Sequence, residues 1–261
     1  MRLLTAVLTP KRASGFTLIE VITVIVILGV LASAVTSFIR FSTQIYSEAS
    51  DREQLISSTR FAIERLNRDV RNALPNSLRL VANNSGNNNA CLEFIPIISS
   101  VIYTNIPIAP AAASATLTVK DPHNMLDFNN AGYLSVIVFP ETANDVYDNN
   151  SEKIYGIDSI GVLNTLTNER NINLDSAVQF AEASPVNRLF VVQPISSVTY
   201  CREGSLLTRN NIRVAENIQA LSFDLTSTTL TDNALVRTIF TLQRNNEEII
   251  FNHEIKVLNV P

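Results

Sequence analysis

Few side chains in this sequence are placed to do chemistry. Its two histidines, His123 and His253, have no His-x-x-x-His partner, and no Gly-x-Ser-x-Gly elbow accompanies them. They read as ordinary loop or strand residues. Asp145, Asp148 and Glu152, with Asn144, Asn149 and Asn150, supply hard oxygen ligands of the kind Ca²⁺ takes. Their spacing is not that of an EF-hand, and a solvated acidic loop is the favoured reading. Cys91 and Cys201 are the only cysteines, too few for a Cys-rich zinc site. Seven glycines, no two close together, leave no phosphate-cradling loop. No enzyme and no cofactor is expected. The remaining anomaly is Glu20, a carboxylate beside a long apolar run. A charge at membrane depth costs ~2.5–3.5 kcal/mol on insertion scales, so it calls for a function.

The elements that must position these residues follow from length and patterning. A chain of 261 residues has room for one large domain or two small ones. Its net charge of −4 argues against nucleic-acid binding. None of its asparagines lies before Asn67, so at least two regions of different composition are joined. Residues 1–14 hold Arg2, Lys11 and Arg12 and no acid, whereas residues 21–39 hold no charge at all. As a helix at ~1.5 Å per residue, that run spans about 28 Å, close to the hydrocarbon thickness of a bilayer. Basic residues before it place the N-terminus in the cytoplasm and the remainder outside. A cleaved secretory signal is the alternative, with Ala32-Ser33-Ala34 as its cut site. The length of the run and the presence of Glu20 disagree with it.

Gly15-Phe16-Thr17-Leu18-Ile19-Glu20, behind a short basic leader and ahead of an apolar span, resembles the processing motif of type IV pilins and type II secretion pseudopilins. The resemblance implies cleavage after Gly15 by a prepilin peptidase, N-methylation of Phe16, and retention of the apolar helix. It assigns Glu20 to assembly. Pairing of its carboxylate with a neighbouring subunit's N-terminal amine would offset two charges in an apolar setting.

The helical pattern continues beyond residue 39. Phe41, Ile45, Ala49, Ile56, Ala62/Ile63, Leu66, Val70 and Ala73/Leu74 form an apolar stripe, with charges filling much of the other face. The run from Glu64 to Arg71 reads as a solvated face with pairs such as Glu64/Arg68. Pro75 is the predicted stop of one helix about 85 Å long. Within residues 61–77, Phe61-Ala62-Ile63-Glu64-Arg65-Leu66-Asn67-Arg68-Asp69-Val70-Arg71 resembles the O-type minor pilins of mannose-sensitive haemagglutinin pili, and also J-type minor pseudopilins.

After Asn76 the sequence turns to short β-rich runs, at 92–98, 133–139, 188–193, 198–202, 206–209, 221–225, 236–242 and 249–257. The Asn-rich segment 83–89 reads as a linker, other Asn pairs as turns, 107–115 as an irregular loop and 214–220 as a short helix. Residues 200–209 and 256–261 are similar to C-terminal parts of the same minor subunits, whereas 100–190 match no pattern. On the exported side Cys91 and Cys201 either bridge or remain separate buried thiols. A bridge closing a loop of about 110 residues would contribute up to ~4–5 kcal/mol.

The expectation is an α+β, type IV pilin-like fold. It comprises a leader (1–15), a transmembrane half-helix (16–39), an amphipathic half-helix (40–75) and a periplasmic β domain (76–261). The resemblance implies a minor pilin acting in pilus assembly near the filament tip. Its partners would be the membrane, prepilin peptidase, other minor and major pilins, and the assembly platform with its ATPase. A minor pseudopilin and a pilus-displayed adhesin are the rivals.

Overall fold

The computed structural model describes residues 15–82, 91–126, 132–148, 151–194, 196–226, 234–244 and 247–257. The architecture is α+β: a long, apolar N-terminal helix followed by antiparallel sheets. Helix α1 runs Leu18–Arg71 without a break. The chain divides into two compact bodies between Glu53 and Gln54, a point inside this helix.

In the first body every helical residue from Leu18 to Ser50 is exposed. Several of its hydroxyls bond back to the helix itself. Thr23 donates to the Glu20 carbonyl at 3.0 Å, Ser33 to Val30 at 2.9 Å and Thr36 to Ala32 at 2.7 Å. Such back-bonding lowers the cost of placing these three hydroxyls in an apolar medium.

In the second body α1 buries Leu55, Thr59, Ala62, Leu66 and Val70, spaced three or four apart and so on one face. The predicted stripe is right from Ala62 onward, but Phe41 and Ile45 are exposed. The helix stops at Arg71, short of the predicted Pro75 boundary. Residues beyond it pair laterally: the Ile97 amide donates to the Asn72 carbonyl at 2.9 Å, and the Leu74 amide to Ile95 at 2.8 Å. Cross-chain bonds thus replace the last helical turn.

Three sheets follow. The first has the order β1-β2-β9-β10-β11, from β1 (Arg79–Val81), β2 (Cys91–Phe94), β9 (Val198–Glu203), β10 (Leu206–Arg209) and β11 (Ile212–Glu216). The second is a meander of β12 (Ile218–Thr226), β13 (Ala234–Arg244) and β14 (Glu247–Val257). Both pack with α1 in one core, where Leu66 and Val70 meet Phe94, Tyr200, Leu207, Phe223, Phe240 and Ile255. A fully buried leucine such as Leu66 is worth about 2–5 kcal/mol against alanine.

The segment that matched no pattern closes into a six-stranded antiparallel barrel, β3-β4-β7-β6-β5-β8. Its strands are β3 (Ile97–Asn105), β4 (Ser114–Lys120), β5 (Ser135–Ile137), β6 (Ile154–Ile160), β7 (Glu169–Val178) and β8 (Arg188–Val192). Leu117, Val119, Val136, Ile157, Ile172, Leu189 and Val191 fill it. The barrel is inserted between β2 and β9, which are neighbours in the first sheet. Outward residues Ile137, Phe190 and Val192 pack on Leu74, Ile95 and Val146 at its base.

Two expectations are corrected here. Residues 214–220 are not a helix. They are the end of β11, Asn217 with a φ of 65°, and the start of β12. The left-handed residue passes the chain from one sheet to the other, with Ala215 and Ile218 buried on either side. Within 107–115, β4 already begins at Ser114. The linker 83–89 lies outside the described residues.

Candidate processing and assembly site

Gly15, Phe16 and Thr17 precede the helix and have no regular structure. A Cβ placed on Gly15 would meet nothing within 4 Å, and Phe16 is 80% exposed. The Gly15–Phe16 peptide is therefore open to a protease, which needs non-helical, accessible backbone. Thr17 starts the helix as its N-cap, its Oγ1 accepting the Glu20 amide at 3.3 Å. Thr-x-x-Glu is the sequence of a capping box, and the carboxylate in the first turn meets the positive end of the helix dipole. Glu20 thus has a local reason to sit where it does, and its side chain is exposed to a partner. α1 is long and apolar enough to cross a membrane, by length and composition.

In the second body, Cys91 and Cys201 sit opposite one another on β2 and β9 with Cα atoms 4.3 Å apart, joined by a disulfide. Beside them lies a network that the sequence did not reveal. Asp69 of α1 accepts the Tyr200 hydroxyl at 2.8 Å and pairs with the Arg209 Nε at 2.6 Å. It ties the helix to β9 and β10. Burial, then the Asp69 carboxylate as bond acceptor and as charge, pushes the Tyr200 phenol well above its usual range. The segment predicted to be a solvated face is therefore partly an internal one. Glu64 and Arg68 make no ion pair among the described residues, and the Arg65 Nε is buried without a hydrogen-bond partner. The available signal was that Asp69 adjoins the buried stripe residue Val70.

The acidic cluster is dispersed into structural roles. Asp145 closes the capping box of the short helix α2 (Ala143–Tyr147), accepting the Glu141 and Thr142 amides at 2.8 and 2.9 Å. Burial alone would raise its carboxyl; these amides and Lys153, 3.6 Å away, draw it below the usual value. Asp148 caps the other end of α2, Glu152 is exposed, and Asn149 and Asn150 lie outside the described residues. Among the described residues no group of three or more His, Cys, Asp or Glu could hold a metal ion. His123 is exposed. His253 faces Thr238 across β13–β14, and neither the His253 Nε2 nor the Thr238 hydroxyl has a partner among the described residues.

The prokaryotic N-terminal methylation motif matches residues 10–36. This window spans the Gly15–Phe16 peptide, the Thr17 cap, Glu20 and most of the uncharged run. No curated protein and no solved structure matches the chain. The chain carries a prepilin-type N-terminal methylation motif.

Proposed function

We propose that the chain is a minor type IV pilin that acts in pilus assembly at or near the filament tip, of the O type found in mannose-sensitive haemagglutinin pili. One observation carries this reading. The methylation motif, the exposed Gly15–Phe16 peptide, the Thr17 cap and Glu20 stand in one register at the head of an unbroken helix. A prepilin peptidase cuts after Gly15 and the new Phe16 amine is methylated. The helix waits in the inner membrane with its N-terminus cytoplasmic and the β domain periplasmic. The Glu20 carboxylate then meets the Phe16 amine of an adjoining subunit, which offsets both charges where water is absent. An assembly ATPase and its platform protein draw the helix into a bundle, where its uniformly apolar surface replaces lipid with other helices.

A chain built around a barrel between two strands of its base sheet suits a specialised minor subunit better than a bulk one. A minor pseudopilin of type II secretion is the second reading, supported by the likeness of residues 61–77 to J-type helices. Deletion separates the two: loss of pili with secretion intact supports the first, and the converse supports the second. The adhesin reading drew on the Asn-rich loops. Of those loops, Asn210-Asn211 lies among the described residues, and both adopt positive φ, a turn geometry that asparagine tolerates without any ligand.

The decisive measurement is mass spectrometry of the mature N-terminus, with N-methyl-Phe16 and loss of residues 1–15 expected. A retained leader, or a terminus near Ala34, refutes the proposal. Glu20→Ala should leave that cleavage unchanged while incorporation into filaments falls.

A further inference from the structure

The two sheets of the second body have four edges. β1 and β12 lie against each other, and among the described residues no strand pairs with the outer edge of β11 or of β14, which are the open edges. An open edge is a row of unpaired backbone donors and acceptors, ready to add a strand.

Beside β11 the surface is hollowed against α1. One recess of about 190 Å³ is lined by Phe61, Arg65, Arg209, Ile212, Arg213 and Val214. It shares Arg209 with a second, of about 440 Å³, that includes Arg68 and Asp69. Four arginines thus face this cleft. Asp69 neutralises Arg209, and Glu216 lies 3.5 Å from Arg213 with both side chains more than half exposed. The cleft is basic on a chain of net charge −4. Its lips are apolar, with Phe61 59% and Ile212 70% exposed.

The other open edge carries the complementary pattern. β14 begins Glu247-Glu248, and neither makes an ion pair among the described residues. Ile250 follows, more than half exposed. Glu254, by contrast, is paired with Arg237 at 2.9 Å within its own sheet.

We propose that the cleft between α1 and β11 takes the β14 edge of a second copy of this chain. The incoming strand adds to β11 through backbone hydrogen bonds. Glu248 meets the cleft arginines, and Ile250, on the same exposed face of the strand, enters between Phe61 and Ile212. Cleft and strand are different surfaces, so the contact is heterologous and joins one copy to the next head to tail. The proposal rests on the reading of the chain as a filament subunit.

The test uses the full-length chain in detergent micelles at low salt, with self-association measured by sedimentation equilibrium. Arg68→Glu/Arg213→Glu reverses the cleft, and Glu247→Lys/Glu248→Lys reverses the strand. Each should weaken self-association by roughly a hundredfold, because like charges then face each other. A one-to-one mixture of the two should recover association, since each reversed surface finds its complement. All samples share the same apolar helix, so helix-driven association cancels from the comparison. A wild-type protein that stays monomeric, variants that associate as wild type does, or a mixture as weak as its components each overturns the proposal. Mass spectrometry of the N-terminus on the same samples reports separately on pilin processing, so the two failures are distinguishable.

Discussion

Removing the Asp69 carboxylate should loosen the join between helix and sheet by a calculable amount. Asp69 accepts a hydrogen bond from the fully buried Tyr200 and holds Arg209 at 2.6 Å. Hydrogen bonds to a charged group contribute about 1.5–3 kcal/mol each. The Tyr200 bond deserves the full range, because Asp69→Ala strands a phenolic hydroxyl in the core. The Arg209 pair deserves the lower end, because Arg209 is 26% exposed and water can take over part of its solvation. The sum is about 3–4.5 kcal/mol for Asp69→Ala. Asp69→Asn keeps an acceptor for Tyr200 and loses only the charge, so about 1–2 kcal/mol is expected. Tyr200→Phe keeps the buried ring and should cost about 1–1.5 kcal/mol. In the double variant Asp69→Ala/Tyr200→Phe the stranded hydroxyl is gone, so the combined cost should fall below the sum by about 1–2 kcal/mol. Urea unfolding of the oxidised full-length protein in detergent, followed by tyrosine fluorescence in a chain with no tryptophan, measures all of these. Additive costs, or an Asp69→Ala penalty under about 1 kcal/mol, would show that the contact is incidental. The same bond has an alkaline signature. The Tyr200 phenol is raised above its ordinary 10.0, so the unfolded chain loses that proton first as pH rises. Stability should therefore be fully present below pH 10 and fall above it, with a shallower fall in Tyr200→Phe.

Other expectations are simpler to state. Native oxidised protein should show no titratable thiol from Cys91 and Cys201, and Cys91→Ala/Cys201→Ala should lower stability by about 2–5 kcal/mol in a thermal melt. Asn217→Gly should be close to neutral, whereas Asn217→Val should cost about 1–2 kcal/mol in the same melt, because a β-branched residue resists a φ of 65°. Asp145→Asn should remove part of the acid limb of stability. The Asp145 carboxyl lies below its ordinary 3.8, so its contribution is present above that pH and lost as pH falls through the folded value. A circular-dichroism acid titration in which Asp145→Asn and wild type coincide would refute it.

How much of this was legible depended on whether neighbouring residues or distant ones set the structure. The unbroken helix, its N-terminal motif and the β13–β14 hairpin are local patterns, and they read correctly. The barrel was missed because its outer face obscures the alternation. On β7, Asn171 and Asn173 look like turn residues, yet each accepts a hydrogen bond from a threonine of β4, Thr118 at 3.2 Å and Thr116 at 3.3 Å. A cross-strand polar ladder overrides the weak β propensity of asparagine. The segment 214–220 failed for another reason. Val214, Ala215, Ile218 and Leu221 mimic helical spacing, but Ala215 and Ile218 belong to different sheets that happen to share one core. The Asp69 network was illegible because its partners are 131 and 140 residues away. The Gly15–Phe16 site was legible as a motif, while the Thr17 cap that sets its distance from the helix emerged only from coordinates.

The placement of Cys91–Cys201 has a mechanical meaning. The barrel leaves the base sheet through β2 and returns through β9, and these two strands are the ones bridged. A pull on the barrel loads both strands together, the geometry that would peel a hydrogen-bonded ladder apart one pair at a time. The sulfur link sits at Cys91–Cys201, the pair of that register farthest from the barrel, so unzipping that starts at Phe94–Val198 can run three pairs before it must stretch a covalent bond. Tension borne by the barrel therefore stops at the bridge and passes no further into β1, β10 and β11, which lie on its far side.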